Sequence, residues 1–100
     1  MRHLILSICN NGSAEAIMET AKEVGARGGT IIHARGSAQK DAEHFLGITI
    51  QPEKEIVMII VDEKGKNVIM QAINKNHGVG TVSHAVTFSL PVDDIVGIDI

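Results

Sequence analysis

The chain has 100 residues, of which 44% are hydrophobic and 21% charged, and its formal net charge is −3. This length leaves room for one domain with one core, and the composition excludes a disordered or fibrous protein. Nucleic-acid binding is not expected, because duplexes need a basic surface and single strands need stacking aromatics, whereas this chain has only Phe45 and Phe88.

The first third of the sequence predicts a strand, a helix and a second strand. Apolar residues alternate over residues 2–9, and Ser13 is a suitable N-cap for the helix that follows. Four apolar residues recur at helical spacing, and Gly25 is suited to end the helix. They are Ile17, Met18, Ala21 and Val24. The second strand is predicted over residues 29–35.

The middle of the sequence predicts a long excursion and a central strand. Residues 36–52 are long for a loop in so small a domain, and such loops are usually functional or mobile. Within them, 38–46 predicts a helical turn or two and 48–50 a short strand. Residues 55–61 (EIVMIIV) are apolar on both faces, which predicts a central strand covered on both sides.

The last third predicts a charged turn over 62–66, a helix from Val68 to about Asn76, and a strand over 86–90 that ends at Pro91. The apolar tail, residues 92–100, is expected to dock as an edge strand or to lie against a neighbour. This order of elements predicts a ferredoxin-like βαββαβ sandwich of the α+β class, with an antiparallel sheet and both helices on one face.

The alternation also predicts which strand residues point away from the helices. We assign to that second face a semi-polar set: His3, Ile5, Ser7, Cys9, His33, Arg35, Thr87 and Ser89. Because a monomer would leave this face exposed to solvent, the sequence predicts a partner subunit.

Glycines at the ends of predicted elements offer backbone amides that can bind a small anion. Three cations lie near the long excursion and can add charge. The glycines and cations are Gly28–Gly29, Gly36, Gly78 and Gly80, with Arg35, Lys40 and Lys54. The five histidines lack metal-ligand spacing, and no nucleophile has an evident base. The residues therefore predict a binding protein with no metal site and no enzymatic activity.

Cysteine use and hydropathy bear on the compartment. Cys9 is the only cysteine, so an intrachain disulfide is excluded, and its apolar surroundings predict a buried, inert thiol. No apolar run is long enough to span a membrane, and the amino-terminal run is short for a signal peptide. We expect a cytoplasmic protein without membrane insertion.

Several segments, in this order, resemble the P-II family of nitrogen-regulatory signalling proteins: EVGARGGTIIHARG, EKEIVMIIV, GVGT and VTFSLPVDDIVGI. The short loop is most similar to the divergent P-II-like branch, and the resemblance covers nearly the whole chain. It implies ferredoxin-like subunits that form a homotrimer and bind an adenine nucleotide between subunits. It also implies that a mobile T-loop, at about 36–52, reports the ligand state to a membrane transporter or an enzyme.

The resemblance itself places Gly28, Thr30, Gly36 and Lys54 at binding positions of the family, and we assign the other candidate residues from their chemistry and position. The base side of the nucleotide would contact Gly28, Gly29 and Thr30, and the T-loop root would be Gly36 and Ser37. The phosphate charges would come from Arg35, Lys40 and Lys54. The opposite wall would be Gly78, Gly80 and Thr81, and the partner-binding tip of the loop would be Phe45 and Leu46.

The sequence departs from the family pattern at its basic positions. Thr81 follows the second glycine loop where the family has a lysine nearby, and Gly97 and Asp99 replace a pair of arginines. Losing about three positive charges implies a preference for ADP, AMP or a cyclic nucleotide over ATP. Gln39 lies near the position at which the classical branch of the family has a glutamine that helps to place Mg²⁺. The resemblance therefore implies Mg²⁺ as a candidate cofactor. The absence of tyrosine excludes tyrosyl modification of the loop.

Two other hypotheses about the function of this architecture stay open. One is a ferredoxin-like module that senses an amino acid or another small anion. The other is a metal-binding trimer similar to copper-binding or divalent-cation-tolerance proteins, for which the scattered histidines and the single cysteine give little support.

Overall fold

The structure is a computed structural model that describes residues 1–37 and 52–98 in full, and the backbone of 43–45 and 48–50. Its elements are β1 (Arg2–Asn10), α1 (Ala14–Glu23), β2 (Thr30–Arg35), β3 (Glu43–Phe45), β4 (Ile48–Ile50), β5 (Glu53–Asp62), α2 (Glu63–His77) and β6 (Val86–Val92). The main sheet has the order β2-β5-β1-β6, and every neighbouring pair is antiparallel. This α+β architecture, with two helices, is compatible with the ferredoxin-like fold predicted from the sequence. None of the helices in the described ranges is both long and apolar enough to cross a membrane.

The excursion between β2 and β5 contains a small ribbon. β3 and β4 pair antiparallel, with Glu43 opposite Ile50 and Phe45 opposite Ile48. The strand predicted at 48–50 is therefore confirmed, whereas the helical turn predicted for 38–46 is wrong over Glu43–Phe45. A single helical turn is unstable alone, and the β-branched residues of β4 favour strand pairing instead.

The strands of the main sheet follow the sequence pattern with one exception. β5 lies between β1 and β2, which confirms the prediction of a central strand. Pro91 was predicted to end the last strand, but β6 continues through it to Val92, with Pro91 opposite His3. Proline is tolerated there because β6 is an edge strand, where a missing amide leaves no ladder partner unpaired.

Helix α1 ends as the sequence predicts. Gly25 has a φ of 116°, and its amide and that of Ala26 donate to the carbonyls of Lys22 and Ala21. This is the Schellman pattern, for which glycine is the preferred residue. The predicted apolar face of the helix is buried, except for Val24, which lies beyond the last helical residue and is exposed.

Helix α2 begins earlier than the sequence predicts. Residues 62–66, expected to form a charged turn, are the N-cap and first turn of this helix. The Asp62 side chain accepts a hydrogen bond from the Gly65 amide at 2.8 Å, and Glu63 places negative charge at the amino end. Both interactions stabilise a helix start, and they outweigh the low helix propensity of Gly65.

The helices cover the sheet face opposite to the one predicted. All eight residues assigned to the open side lie on the same side of the sheet as the helices, by their cross-strand pairing, and four of them are buried there: His3, Ile5, Ser7 and Cys9. Their polar atoms have partners there, so their burial is tolerated. His3 Nε2 lies 2.5 Å from Glu63 Oε2, the hydroxyls of Ser7 and Thr87 are 3.0 Å apart, and the Cys9 thiol donates to the Glu55 carbonyl at 3.5 Å.

Two pKa shifts follow from this packing. Cys9 is buried as predicted, and its burial, with the nearby Glu55 carboxylate, raises the pKa of the thiol, which is therefore protonated at neutral pH. The hydrogen bond from His3 lowers the pKa of Glu63 below its usual value.

The open side of the sheet is strongly apolar, and we name it the apolar sheet face. Ten side chains from the four strands form it: Leu4, Leu6, Ile8, Ile32, Ile56, Met58, Ile60, Val86, Phe88 and Leu90. Ile32, Val86, Phe88 and Leu90 are exposed, with Val86 at 55% of its full accessibility. A continuous apolar surface of this kind marks an interaction site.

Candidate functional site

A pocket of about 430 Å³ lies at the edge of the apolar sheet face, where the chain enters β2. Three of the predicted site residues line it, Gly28, Gly29 and Thr30. Its remaining lining is mostly apolar and comes from Leu4, Met58, Ile60 and Ile98, with Arg27 as the only charged residue among the described residues that line it. An apolar floor beside exposed backbone is suited to a flat ring system.

The carboxy-terminal tail contributes to this pocket through Ile98. The tail was predicted to dock as an edge strand or to lie against a neighbour. From Asp93 to Ile98 it forms no strand in the described part of the chain, and contact with a neighbour stays a prediction. Ile98 adds apolar surface to the pocket that Leu4 also lines.

The two glycines of the pocket have different structural roles. A Cβ on Gly29 would lie 2.4 Å from the carbonyl oxygen of Met58 and 2.6 Å from the Met18 methyl group. A Cβ on Gly28 would meet no described atom within 4 Å. Gly29 is thus needed for the close approach of this loop to β5, whereas Gly28 borders open space.

The other end of β2 carries the predicted root of the T-loop. The Gly36 amide donates to the Pro52 carbonyl at 2.8 Å, and this bond closes the base of the excursion. Arg35 and Ser37 are exposed on either side of it. Lys54 is half-buried, and its Nζ donates to Asn10 Oδ1 at 2.9 Å. Lys40 lies outside the described residues.

The second glycine loop lies at this same end of the sheet. Asn10 donates through its backbone amide to the Ser83 carbonyl at 2.9 Å, and through its side chain to Val82 at 3.0 Å. The Thr81 hydroxyl, predicted to face a ligand, donates to the Gly78 carbonyl at 2.7 Å within the loop. Gly80 has a φ of 93°, a conformation that favours glycine.

His77 anchors the glycine loop to α1, a role that the sequence did not reveal. Its Nε2 lies 2.8 Å from the Thr20 hydroxyl, and its Nδ1 lies 3.3 Å from the Ser83 hydroxyl. This histidine therefore has structural partners on both ring nitrogens. Among the described residues, no group of three or more metal-ligating side chains is placed to hold an ion.

The predicted site residues fall into two groups at opposite ends of β2. Thr30 pairs with Met58 and Arg35 with Glu53, so the two ends are roughly 16 Å apart at about 3.3 Å per residue. The base-side residues Gly28 to Thr30 are together at one end. The two predicted cations that the structure describes, Arg35 and Lys54, are at the other end with the second glycine loop, so one subunit alone does not assemble the complete predicted site.

The amino end of α1 holds an internal carboxylate. Glu55 Oε1 accepts hydrogen bonds from the amides of Gly12 at 3.0 Å and Ala14 at 2.9 Å, and Glu55 Oε2 lies 3.7 Å from His33 Nδ1. The predicted N-cap, Ser13, makes no side-chain cap bond within the described residues. Glu55 thus occupies the place that an external anion would take at this helix start. A carboxylate at the start of the apolar run EIVMIIV is the signal that the sequence offered.

Replacing Glu55 with alanine is expected to destabilise the protein by about 1–3 kcal/mol, because it leaves the buried amide of Ala14 and the partly buried amide of Gly12 without this acceptor. Glu55→Gln keeps a carbonyl oxygen as an acceptor, so its free energy of unfolding should fall by clearly less. Urea unfolding of both variants measures the difference. Equal midpoints for Glu55→Ala and the parent protein would show that the cap contributes nothing.

The predicted docking tip is only partly described. The backbone of Phe45 belongs to β3, but its side chain and all of Leu46 lie outside the described residues. The role of this pair therefore stays a prediction.

No protein-family model matches the chain, and no match is found among curated proteins.

Proposed function

We propose that this chain is a non-enzymatic regulatory protein of the P-II-like kind, which assembles as a homotrimer and binds a small effector between its subunits. The observation that carries the proposal is the placement of the Gly28–Thr30 pocket on the apolar sheet face. A second subunit that covers this face would remove exposed apolar side chains from water and would close the pocket at the same time.

The effector that suits the pocket best is an adenine nucleotide. The volume of about 430 Å³ lies within the range of roughly 300–1,000 Å³ that is typical of ligand pockets. Leu4, Met58 and Ile60 supply an apolar floor for a base, and the loop backbone at Gly28 supplies polar groups at its edge.

The charges for the phosphates would come from a neighbouring subunit in this proposal. Lys54 and Arg35 lie at the far end of β2 from the base pocket, so the phosphates of a nucleotide bound there would meet the Lys54 and Arg35 of a neighbouring subunit. The excursion rooted at Gly36 leaves the sheet at that cationic end, which would let it report occupancy. Its tip, with Phe45 and Leu46, would contact a membrane transporter or an enzyme of nitrogen metabolism.

Calorimetry with ATP, ADP, AMP and cyclic AMP, each with and without Mg²⁺, tests the proposal on the full chain. We expect binding that favours nucleotides with fewer phosphates. Lys54→Ala should weaken binding by about tenfold or more, since a charge-assisted hydrogen bond contributes about 1.5–3 kcal/mol. Lys22→Ala, on the exposed face of α1, is the matched control and should change nothing.

Absence of heat with all four nucleotides would contradict nucleotide binding. Stabilisation by an amino acid instead, seen as a rise in melting temperature, would identify an amino-acid-sensing module. Stabilisation by a divalent metal or copper alone would favour the metal-binding trimer.

A further inference from the structure

Lys54 has a neutral hydrogen-bond partner instead of a carboxylate. It lies opposite Asn10 in the pairing of β5 with β1, and its Nζ donates to Asn10 Oδ1 at 2.9 Å. Its neighbours in the chain, Glu53 and Glu55, point to the other side of the sheet, because side chains alternate along a strand. None of the carboxylates in the described ranges lies within 4 Å of Lys54 Nζ.

The surroundings of Lys54 strengthen its attraction for an anion. The side chain is half-buried on the same side of the sheet as Ile8 and Ile56, which are the next pair along the two strands. Removing a cation from water is unfavourable unless an opposite charge or hydrogen bonds compensate it, and attraction between charges is screened less beside apolar groups. Asn10 accepts only one of the three hydrogen bonds that an ammonium group can donate.

Asn10 also connects Lys54 to the second glycine loop. Its Nδ2 donates to the Val82 carbonyl at 3.0 Å, and its backbone amide donates to the Ser83 carbonyl at 2.9 Å. A main-chain carbonyl can only accept, so the side-chain amide has its nitrogen at Val82 and its oxygen at Lys54. A carboxylate at this position could not donate to Val82 and would neutralise Lys54. An asparagine therefore holds the cation in place without cancelling its charge.

The stem of Lys54 passes close to the root of the excursion. A Cβ on Gly36 would lie 3.4 Å from Lys54 Cε, and the Gly36 amide donates to the Pro52 carbonyl at 2.8 Å. Lys54 thus lies between the excursion root, which its stem approaches, and the glycine loop, to which Asn10 connects it.

We propose that Asn10 is the positioning residue of the anion site. Its side-chain amide holds the Lys54 ammonium beside the second glycine loop and leaves the positive charge for a phosphate group of the ligand. This inference rests on the proposed function, in which Lys54 binds phosphate, and it deepens that function by adding a residue that the sequence analysis did not select.

Calorimetry with AMP and adenosine tests this role on the full chain, because the two ligands share a base and differ in the charged group. Asn10→Asp keeps an acceptor for Lys54 but neutralises it, so it should weaken AMP binding by about tenfold and leave adenosine binding unchanged. Asn10→Ala leaves Lys54 charged but without its partner, so it should weaken AMP binding by a smaller factor. If Asn10 only supported the loop, each variant would weaken both ligands alike.

Asn76→Asp is the matched control for the change in charge. The Asn76 side chain also donates to a main-chain carbonyl, that of Ala72 at 3.0 Å, and its partner residue carries no charge. This variant adds the same negative charge and loses the same kind of hydrogen bond, and it should bind both ligands as the parent does. Equal weakening of AMP binding in Asn76→Asp would overturn the inference, and so would an equal loss of adenosine binding in Asn10→Asp.

Inorganic pyrophosphate separates this inference from the proposed function, because it carries phosphate charge without a base. If Asn10→Asp weakens pyrophosphate binding while no nucleotide binds to the parent, the role of Asn10 stands and nucleotide binding fails. If AMP binding depends on Lys54 but is unchanged in both Asn10 variants, the proposed function stands and the role of Asn10 is overturned. Absence of heat with pyrophosphate and with every nucleotide would overturn both.

Discussion

Replacing Gly29 with alanine is expected to destabilise the protein by about 3 kcal/mol or more, through overpacking that the backbone cannot relieve. The new Cβ would lie 2.4 Å from the carbonyl oxygen of Met58. The Met18 methyl group, at 2.6 Å, can move, but the carbonyl belongs to the central strand. Met58 is paired with Thr30 on one side and Leu6 on the other, so a shift of this carbonyl would disturb two ladders.

Gly28→Ala is the matched control, since its Cβ would meet no described atom within 4 Å. Its stability should equal that of the parent or exceed it by about 0.4–1 kcal/mol, because alanine restricts the unfolded chain. Denaturant unfolding measures the free energy of unfolding of both variants, provided that its dependence on denaturant concentration is the same in each. Similar losses in the two variants would show that the close approach at Gly29 does not govern the packing of this loop.

Aspartate substitutions at two adjacent residues of β5 should have opposite consequences. Ile59 is fully buried beneath the helices, and a carboxylate there costs at least about 4 kcal/mol. That loss is comparable with the whole stability of a small domain, so Ile59→Asp should unfold the chain. Met58 lies on the apolar sheet face and is only partly buried, so Met58→Asp should leave each subunit folded but dissociate the proposed trimer.

Light scattering and far-ultraviolet circular dichroism distinguish these outcomes, and Met58→Leu serves as the volume-matched control that should remain assembled. A parent protein that is monomeric at micromolar concentration would contradict the proposed assembly. A Met58→Asp variant that stays a trimer would show that the apolar sheet face is not the interface.

Local sequence patterns predicted most of the elements because their causes are local. The Gly25 stop depends on one positive φ, and the central position of β5 follows from apolar residues on both of its faces. The errors had both local and distant causes. The Asp62 cap, which extends α2 towards its amino end, joins residues only three positions apart, whereas the edge position of β6, which allows Pro91 in a strand, depends on the whole sheet.

In the candidate site too, a local motif predicted some of the residues, and the tertiary structure supplied the others. Gly28 to Thr30 were predicted as binding residues from a short motif, and they do line a pocket. Leu4, Arg27 and Ile98, which complete its lining, come from separate parts of the sequence. The Glu55 cap joins residues 43 and 41 positions apart, so a local pattern could not reveal its partners.

By itself, the sequence of this protein determined where strands and helices form, since residue periodicity and glycine stops act within a few positions. Only the tertiary structure decided which side of the sheet the helices cover. Both alternate sets of strand residues contain enough apolar side chains to form a core, so alternation alone does not choose between them. The set with His3, Ser7 and Cys9 tolerates burial because its polar atoms find partners in Glu63, Thr87 and the Glu55 carbonyl. The more apolar set lies on the open face, an arrangement that is possible only because hydrogen bonds between distant residues satisfy the polar groups inside.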